Sequence, residues 1–252
     1  MQYNKSECFM RLSRSVDQAS DPAVPNSAPK TLAEAVYRQM RQDILSGKLK
    51  PGAKLRFSEL KANYAAGMST LRESLSRLTA DRLVIAEGQR GFRVAPISRS
   101  ELFDITALRT EVESTALEAS IDAGNDEWES NVVASLHRLS KLEERGAEGP
   151  ALLSEEGARL HRVFHMSLLG ACPSVWRLRV VEVLYDQSER YRRLQSSYLP
   201  DIRNSPREHR EIMEATIGRQ KKRAVKLLRA HIEKTTTALS TVEELWPSEP
   251  SQ

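Results

Sequence analysis

The chain has 252 residues, enough for two domains of ordinary size, and 40% apolar with 29% charged residues excludes collagen-like, disulfide-framework and wholly disordered classes. No run of about 18 apolar residues is present, and the N-terminus shows no basic stretch leading into an apolar core, so neither a spanning helix nor a secretory signal is readable and a cytoplasmic chain is expected. The net charge of +4 is uneven: residues 30–100 hold 14 Lys and Arg against 6 Asp and Glu, whereas 101–252 hold 21 against 25. The first part is therefore expected to meet a polyanion and the second to do something else.

In chain order, residues 1–29 lack periodicity, carry Pro22, Pro25 and Pro29, and read as a flexible tail. Folding is expected from Thr31-Leu-Ala-Glu34, a capping box, with Leu32, Val36, Met40 and Ile44 on one helical face and Gly47 as the stop. Ser58 is a candidate cap for a short helix to Tyr64. After the small-residue turn Ala65-Ala66-Gly67, Ser69 is a candidate cap for a helix to about Ala80. Leu83-Val84-Ile85 and Phe92-Arg93-Val94, joined through Glu87-Gly88-Gln89-Arg90-Gly91, read as a hairpin with a basic tip. Helix, short helix, turn, helix and basic hairpin over 30–97 form a winged helix-turn-helix, whose second helix offers its N-terminal residues to the major groove. The candidate DNA contacts are Arg72, Ser69 and Thr70 on that helix, with Arg56 and Arg90 beside it; each also has an ordinary role as a cap or a solvated charge.

From Ser98 the pattern is helical throughout. The capping box Ser98-Arg-Ser-Glu101 opens a helix to about 123 with Leu102, Ile105, Val112 and Ala116 on its apolar face and Arg109 among them. Further helices are expected at about 126–145, 151–169, 174–198, 206–217 and 220–241, making the fold mainly α, a helical bundle over 98–242 followed by a C-terminal tail over 243–252. Four of the five histidines sit on apolar stripes: His161 and His165 one turn apart, His209 beside Ile212, and His231 beside Leu227 and Leu228. Any one of them reads ordinarily as a core histidine satisfied by a hydrogen bond, but four inward imidazoles together point to a common partner, and an imidazole-rich set suits Zn, Ni, Cu or Fe better than Mg or Ca. An inward Arg109 needs an acidic partner, supplied either by Glu113 one turn on or by an anionic ligand. Arg190, Tyr191 and Arg192 are weaker candidates for the same effector, one of the arginines being expected to face water. No catalytic residue is assigned, because His161-Arg-Val-Phe-His165 has metalloprotease spacing but Arg162 stands where hydrolysis needs a glutamate. Cys8 and Cys172 have no metal-ligand spacing.

These motifs resemble a known family. Ile44-Leu-Ser-Gly47, Lys50-Pro-Gly52, Leu71-Arg72-Glu73-Ser74-Leu75 and Arg90-Gly91-Phe92-Arg93-Val94 are similar to the winged helix-turn-helix of GntR transcription regulators, with Met68 where that family commonly carries a DNA-contacting arginine. Arg109-x-x-x-Glu113, Phe164-His165, Glu208-His209 and His231-Ile232 resemble the ligand-sensing FCD domain of the FadR branch. That resemblance implies a divalent metal held by three histidines, His165, His209 and His231, with His161 in place of the family's usual aspartate, which favours Zn or Ni over hard ions. It also implies a homodimer on double-stranded operator DNA. Leu55-Arg56, Asp126-Glu-Trp-Glu129 and Arg190-Tyr191-Arg192 are similar to the carbon-starvation-induced regulators of that branch, which implies repression of glutarate-like acid catabolism relieved by a small dicarboxylate.

Overall fold

A computed structural model describes residues 29, 31–145, 154–198 and 205–246. The tail expected over 1–29, apart from Pro29, lies outside those residues, as do the helix breaks expected at 146–150 and at Pro200. The winged unit runs α1 (Leu32–Leu45), β1 (Lys54–Leu55), α2 (Phe57–Tyr64), α3 (Met68–Ala80), β2 (Val84–Ala86) and β3 (Phe92–Val94). The bundle follows as α4 (Arg99–Ala123), α5 (Asp126–Arg145), α6 (Glu155–Leu168), α7 (Val175–Tyr198), α8 (Ser205–Ile217) and α9 (Lys221–Ser240).

The Thr31 hydroxyl accepts the Glu34 amide at 3.1 Å to start α1, and Gly47 adopts φ +76°, the left-handed conformation that lets the chain turn away after Ser46. Val36, Met40 and Ile44 are buried, but Leu32, expected on the same face, is exposed, and Ala33 turns inward in its place. Two other expected caps are displaced. Arg56 precedes α2 in place of Ser58, and Gly67 precedes α3 in place of Ser69, neither with a side-chain cap, and Ala65 takes the left-handed turn between the helices. Leu71, Leu75 and Leu78 of α3 are fully buried with Met40 and Leu83, each side chain contributing about 1.5–3 kcal/mol.

The expected hairpin is present with a third strand. The sheet order is β1-β3-β2, all antiparallel, with Leu55 opposite Phe92 and Val84 opposite Val94. Its tip is a 3-10 turn at Gly88–Arg90.

The bundle core joins Leu117, Val132, Leu139, Phe164, Leu168, Ile212 and Leu228. A separate cluster of Leu102, Ile105, Tyr191, Leu239 and Val242 lies at the end nearest the winged unit. Leu245 is buried in that cluster from a 3-10 turn at Glu243–Leu245, so the chain stays packed past residue 242, where a tail was expected to begin. Helix α7 packs antiparallel to α4 and also touches α1, which places one long helix against both halves of the molecule.

Candidate functional site

The start of α3 gathers exposed polar and basic side chains. Its first turn holds no acidic residue and no side-chain cap, Ser69 is exposed and Thr70 is half-buried. Arg72 is exposed, with its guanidinium carbon 5.6 Å from the Phe57 ring centroid. Phe57 meets Phe92 of β3 edge-on at 6.2 Å, so an aromatic pair joins α2 to the wing beneath this arginine. Arg56 is exposed at the start of α2, 3.1 Å from Glu59, and Arg90 is exposed at the hairpin tip. Met68, the first residue of α3, is also exposed.

In the bundle the four histidines converge. His161 and His165 come from α6, His209 from α8 and His231 from α9; all are buried, and one ring nitrogen from each lies within 4.8 Å of the others. Ring centroids are 4.5 Å apart for His161 and His165 and 4.8 Å for His209 and His231. A tetrahedral ion with metal–nitrogen bonds of about 2.1 Å would draw such nitrogens to about 3.4 Å, a contraction that side-chain rotation supplies. Two rings are steered from outside. His161 Nδ1 lies 2.7 Å from Tyr185 Oη and His231 Nδ1 lies 2.8 Å from Glu208, outer partners of the kind that orient metal-binding imidazoles. Burial, followed by the neighbouring His165 and Arg192, pushes the His161 imidazole well below its usual range, so the lone pair a metal needs is free of a proton. The residues present therefore fit a metal ion. His137, the fifth histidine, is exposed on α5 and takes no part.

A cavity of about 30 Å³, room for a water or two, adjoins the imidazoles. Arg109, Tyr185, Ser188, Glu189, Tyr191 and Arg192 line it. Arg109 is buried, donates to Glu113 at 2.6 Å and to Ser188 Oγ at 2.5 Å, and lies 5.1 Å from the Tyr185 ring centroid. Arg192 donates through two nitrogens to Glu189, at 2.6 and 2.7 Å. Tyr191 turns its hydroxyl to the Ser98 carbonyl and to Glu101.

Arg190 is placed elsewhere. It donates to the Ala95 carbonyl at 2.5 Å and the Pro96 carbonyl at 2.8 Å, gripping the link between the two halves, and it is not among the cavity residues. Neither Arg190 nor Arg192 faces water, contrary to the expectation for one of them, because α7 is covered on one side by the bundle and on another by the winged unit. Tyr185, Ser188 and Glu189 are site residues that no motif marks, and their i, i+3, i+4 spacing on α7 is the signal of a shared face. Glu208, beside His209 in the sequence, orients His231 from the preceding helix.

Comparison with known proteins agrees with this architecture. Residues 32–94 match the bacterial regulatory proteins of the gntR family, and residues 104–234 match the FCD domain. The chain is 39% identical over 216 residues to an uncharacterized HTH-type transcriptional regulator, BphR, of Paraburkholderia xenovorans LB400, covering 86% of this chain and 88% of that protein. It is 37% identical over 200 residues to the HTH-type transcriptional repressor GlaR of Escherichia coli K12, covering 78% and 90%. Among solved structures, E. coli McbR/YncC superposes with a TM-score of 0.70 at 18% identity over 84% of this chain and 98% of that one, which shows the fold. That family and this winged-head-and-bundle architecture are those of transcription factors rather than enzymes. The chain belongs to the GntR family of bacterial transcription regulators, in the branch that joins the DNA-binding head to an FCD sensor domain.

Proposed function

We propose that this effector-responsive DNA-binding regulator is a homodimeric repressor that releases its operator when a small dicarboxylate, glutarate-like in size, enters the bundle. The observation that carries the reading is the convergence of four buried imidazoles beside two buried arginines. His161, His165, His209 and His231 would hold a divalent transition metal, Zn or Ni by the chemistry of the donors. When bound, the ion supplies a positive site for a carboxylate oxygen. Arg109 and Arg192 are the residues that grip the far carboxylate, each by exchanging its present glutamate partner for the ligand. Repression as the direction of control follows the similar E. coli protein, a transcriptional repressor.

For DNA, Arg72, Ser69 and Thr70 serve base edges and phosphates, while Arg56 and Arg90 serve the flanking backbone. Dimerisation is assigned to the outer faces of α4 and α7. Six of the ten large apolar side chains exposed among the described residues lie there, including Phe103, Leu108, Trp176, Val180 and Val183. Exposed Arg179 and Glu182 on the same face are three residues apart with opposite charge, so a two-fold axis can set each against the other in the second copy. A hydrolase reading has no support: Arg162 occupies the position of a general base and is itself bound to Asp186.

Native mass spectrometry with elemental analysis tests the reading. The expected result is a dimer carrying one transition-metal ion per chain that takes up glutarate. A metal-free protein that stays metal-free after incubation with zinc and nickel overturns the sensor assignment.

A further inference from the structure

We propose that α7 is the lever that converts an occupied cavity into release of the DNA-binding head, and that Asp186 is its release point. This inference rests on the sensor reading above.

The helix has two working faces. Tyr185, Ser188, Glu189 and Arg192 line the cavity, while Asp186, Gln187 and Arg190 grip the head and the link behind it. Asp186 spends one carboxylate oxygen on Arg41 of α1 and the other on Arg162 of α6. Arg162 follows His161 in the chain and lies 5.1 Å from the ring centroid of Tyr185, the residue that meets His161. Gln187 donates to the Asp81 carbonyl at the end of α3 at 2.7 Å, and Arg190 donates to the Ala95 and Pro96 carbonyls. Consecutive residues of one rigid helix thus hold the two halves, and neither set can move alone.

The cavity must open to admit a ligand. About 30 Å³ is far below the roughly 300 Å³ at which small-molecule pockets begin. Of its walls, α4 and α9 are tied together by the buried Thr106–Thr236 hydroxyl pair at 2.5 Å. Helix α7 is held to α4 beside the cavity through Arg109 and Ser188, and an anion on Arg109 competes for the same guanidinium. Loss of that bond lets α7 shift relative to α4 about its remaining tie through Tyr191, and the displacement pulls Asp186 from Arg41. A cavity of this size has no room for the acid, so the Asp186–Arg41 contact, made while the cavity is closed, is assigned to the pose of a repressor that binds DNA.

Linkage gives the test, because a ligand that weakens DNA binding through a contact must itself bind more tightly once that contact is gone. Full-length, zinc-loaded protein is assayed on an operator selected by the wild type from random sequence, with glutarate as probe. Glutarate should weaken wild-type binding about tenfold. Asp186→Asn, and Arg41→Gln on the head side, should start at that weakened level, respond less than about twofold, and bind glutarate more tightly by the factor lost on DNA. The double variant should add nothing further. A variant with the wild-type response, whatever its starting affinity, overturns the lever. If the wild type takes up no glutarate in calorimetry, the sensor reading fails instead, and the lever stands or falls on hydrogen exchange. Asp186→Asn should then speed exchange across residues 81–98 of the ligand-free protein, and unchanged exchange overturns it.

Discussion

The head and the bundle each hold an arginine–glutamate pair within one helical turn, and the two pairs are used in opposite ways. Arg56 and Glu59 are 67% and 55% exposed at 3.1 Å; Arg109 and Glu113 are 11% and 1% exposed at 2.6 Å. In water the first pair contributes about 0–1 kcal/mol, so Arg56 can leave its partner for a phosphate at little cost. The second pair has already lost its hydration, and each ion depends on the other. Of these two pairs, the one on the head keeps its water and its freedom, whereas the one in the bundle is held where each ion has only the other and its near neighbours.

The comparison breaks most visibly by removing one member of each pair. Glu113→Gln leaves a buried guanidinium without its countercharge and should lower unfolding free energy by about 3–5 kcal/mol in a urea titration. Glu59→Gln should change it by less than about 1 kcal/mol. Similar values for the two variants would mean that water reaches Arg109 freely.

The histidine centre sharpens the same contrast. His165→Ala with His209→Ala removes two of four imidazoles and should abolish stoichiometric metal while operator binding persists. Zinc at a hundred times its dissociation constant should stabilise the wild type by about 2.7 kcal/mol and the double variant by nothing measurable. Full metal content by elemental analysis would place the ion elsewhere.

Much of this contrast is legible in the amino-acid sequence. Helical spacing turned His161, His165, His209 and His231 inward because each sits on a stripe that the bundle must bury, and α4 to α9 follow the expected helices closely. The region 189–192 was not legible. Glu189, Arg190, Tyr191 and Arg192 are consecutive and all buried, which no helix packed on one side permits; it requires a second body, here the head and its link. Strand β1 is two residues long and too short to show alternation. The start of α3 after Gly67 bypasses Ser69 because the left-handed turn at Ala65 ends α2 and redirects the chain two residues earlier.

On the head, Arg72→Ala should weaken specific operator binding by about 1–3 kcal/mol and relax sequence preference, with the dimer intact by analytical ultracentrifugation. Its place above Phe57 lets that loss be separated from a folding defect, since the aromatic pair and the buried α3 leucines remain. Unchanged footprints would remove Arg72 from the contact set.

The smallest effect is expected at Arg90. It stands exposed at the tip of the wing, where a side chain neutralises phosphate without reading sequence. Each such contact releases condensed counterion from DNA, so the slope of log affinity against log salt should fall in magnitude by about 0.9 per half-site in Arg90→Ala. Affinity should drop evenly across operator variants, unlike the selective loss at Arg72. Thermal stability should not change, because the backbone of the turn, where the Arg90 amide donates to the Glu87 carbonyl at 3.0 Å, survives the substitution. A changed base preference in Arg90→Ala would show that the wing tip enters a groove and reads sequence there, and the division between reading helix and anchoring wing would have to be redrawn.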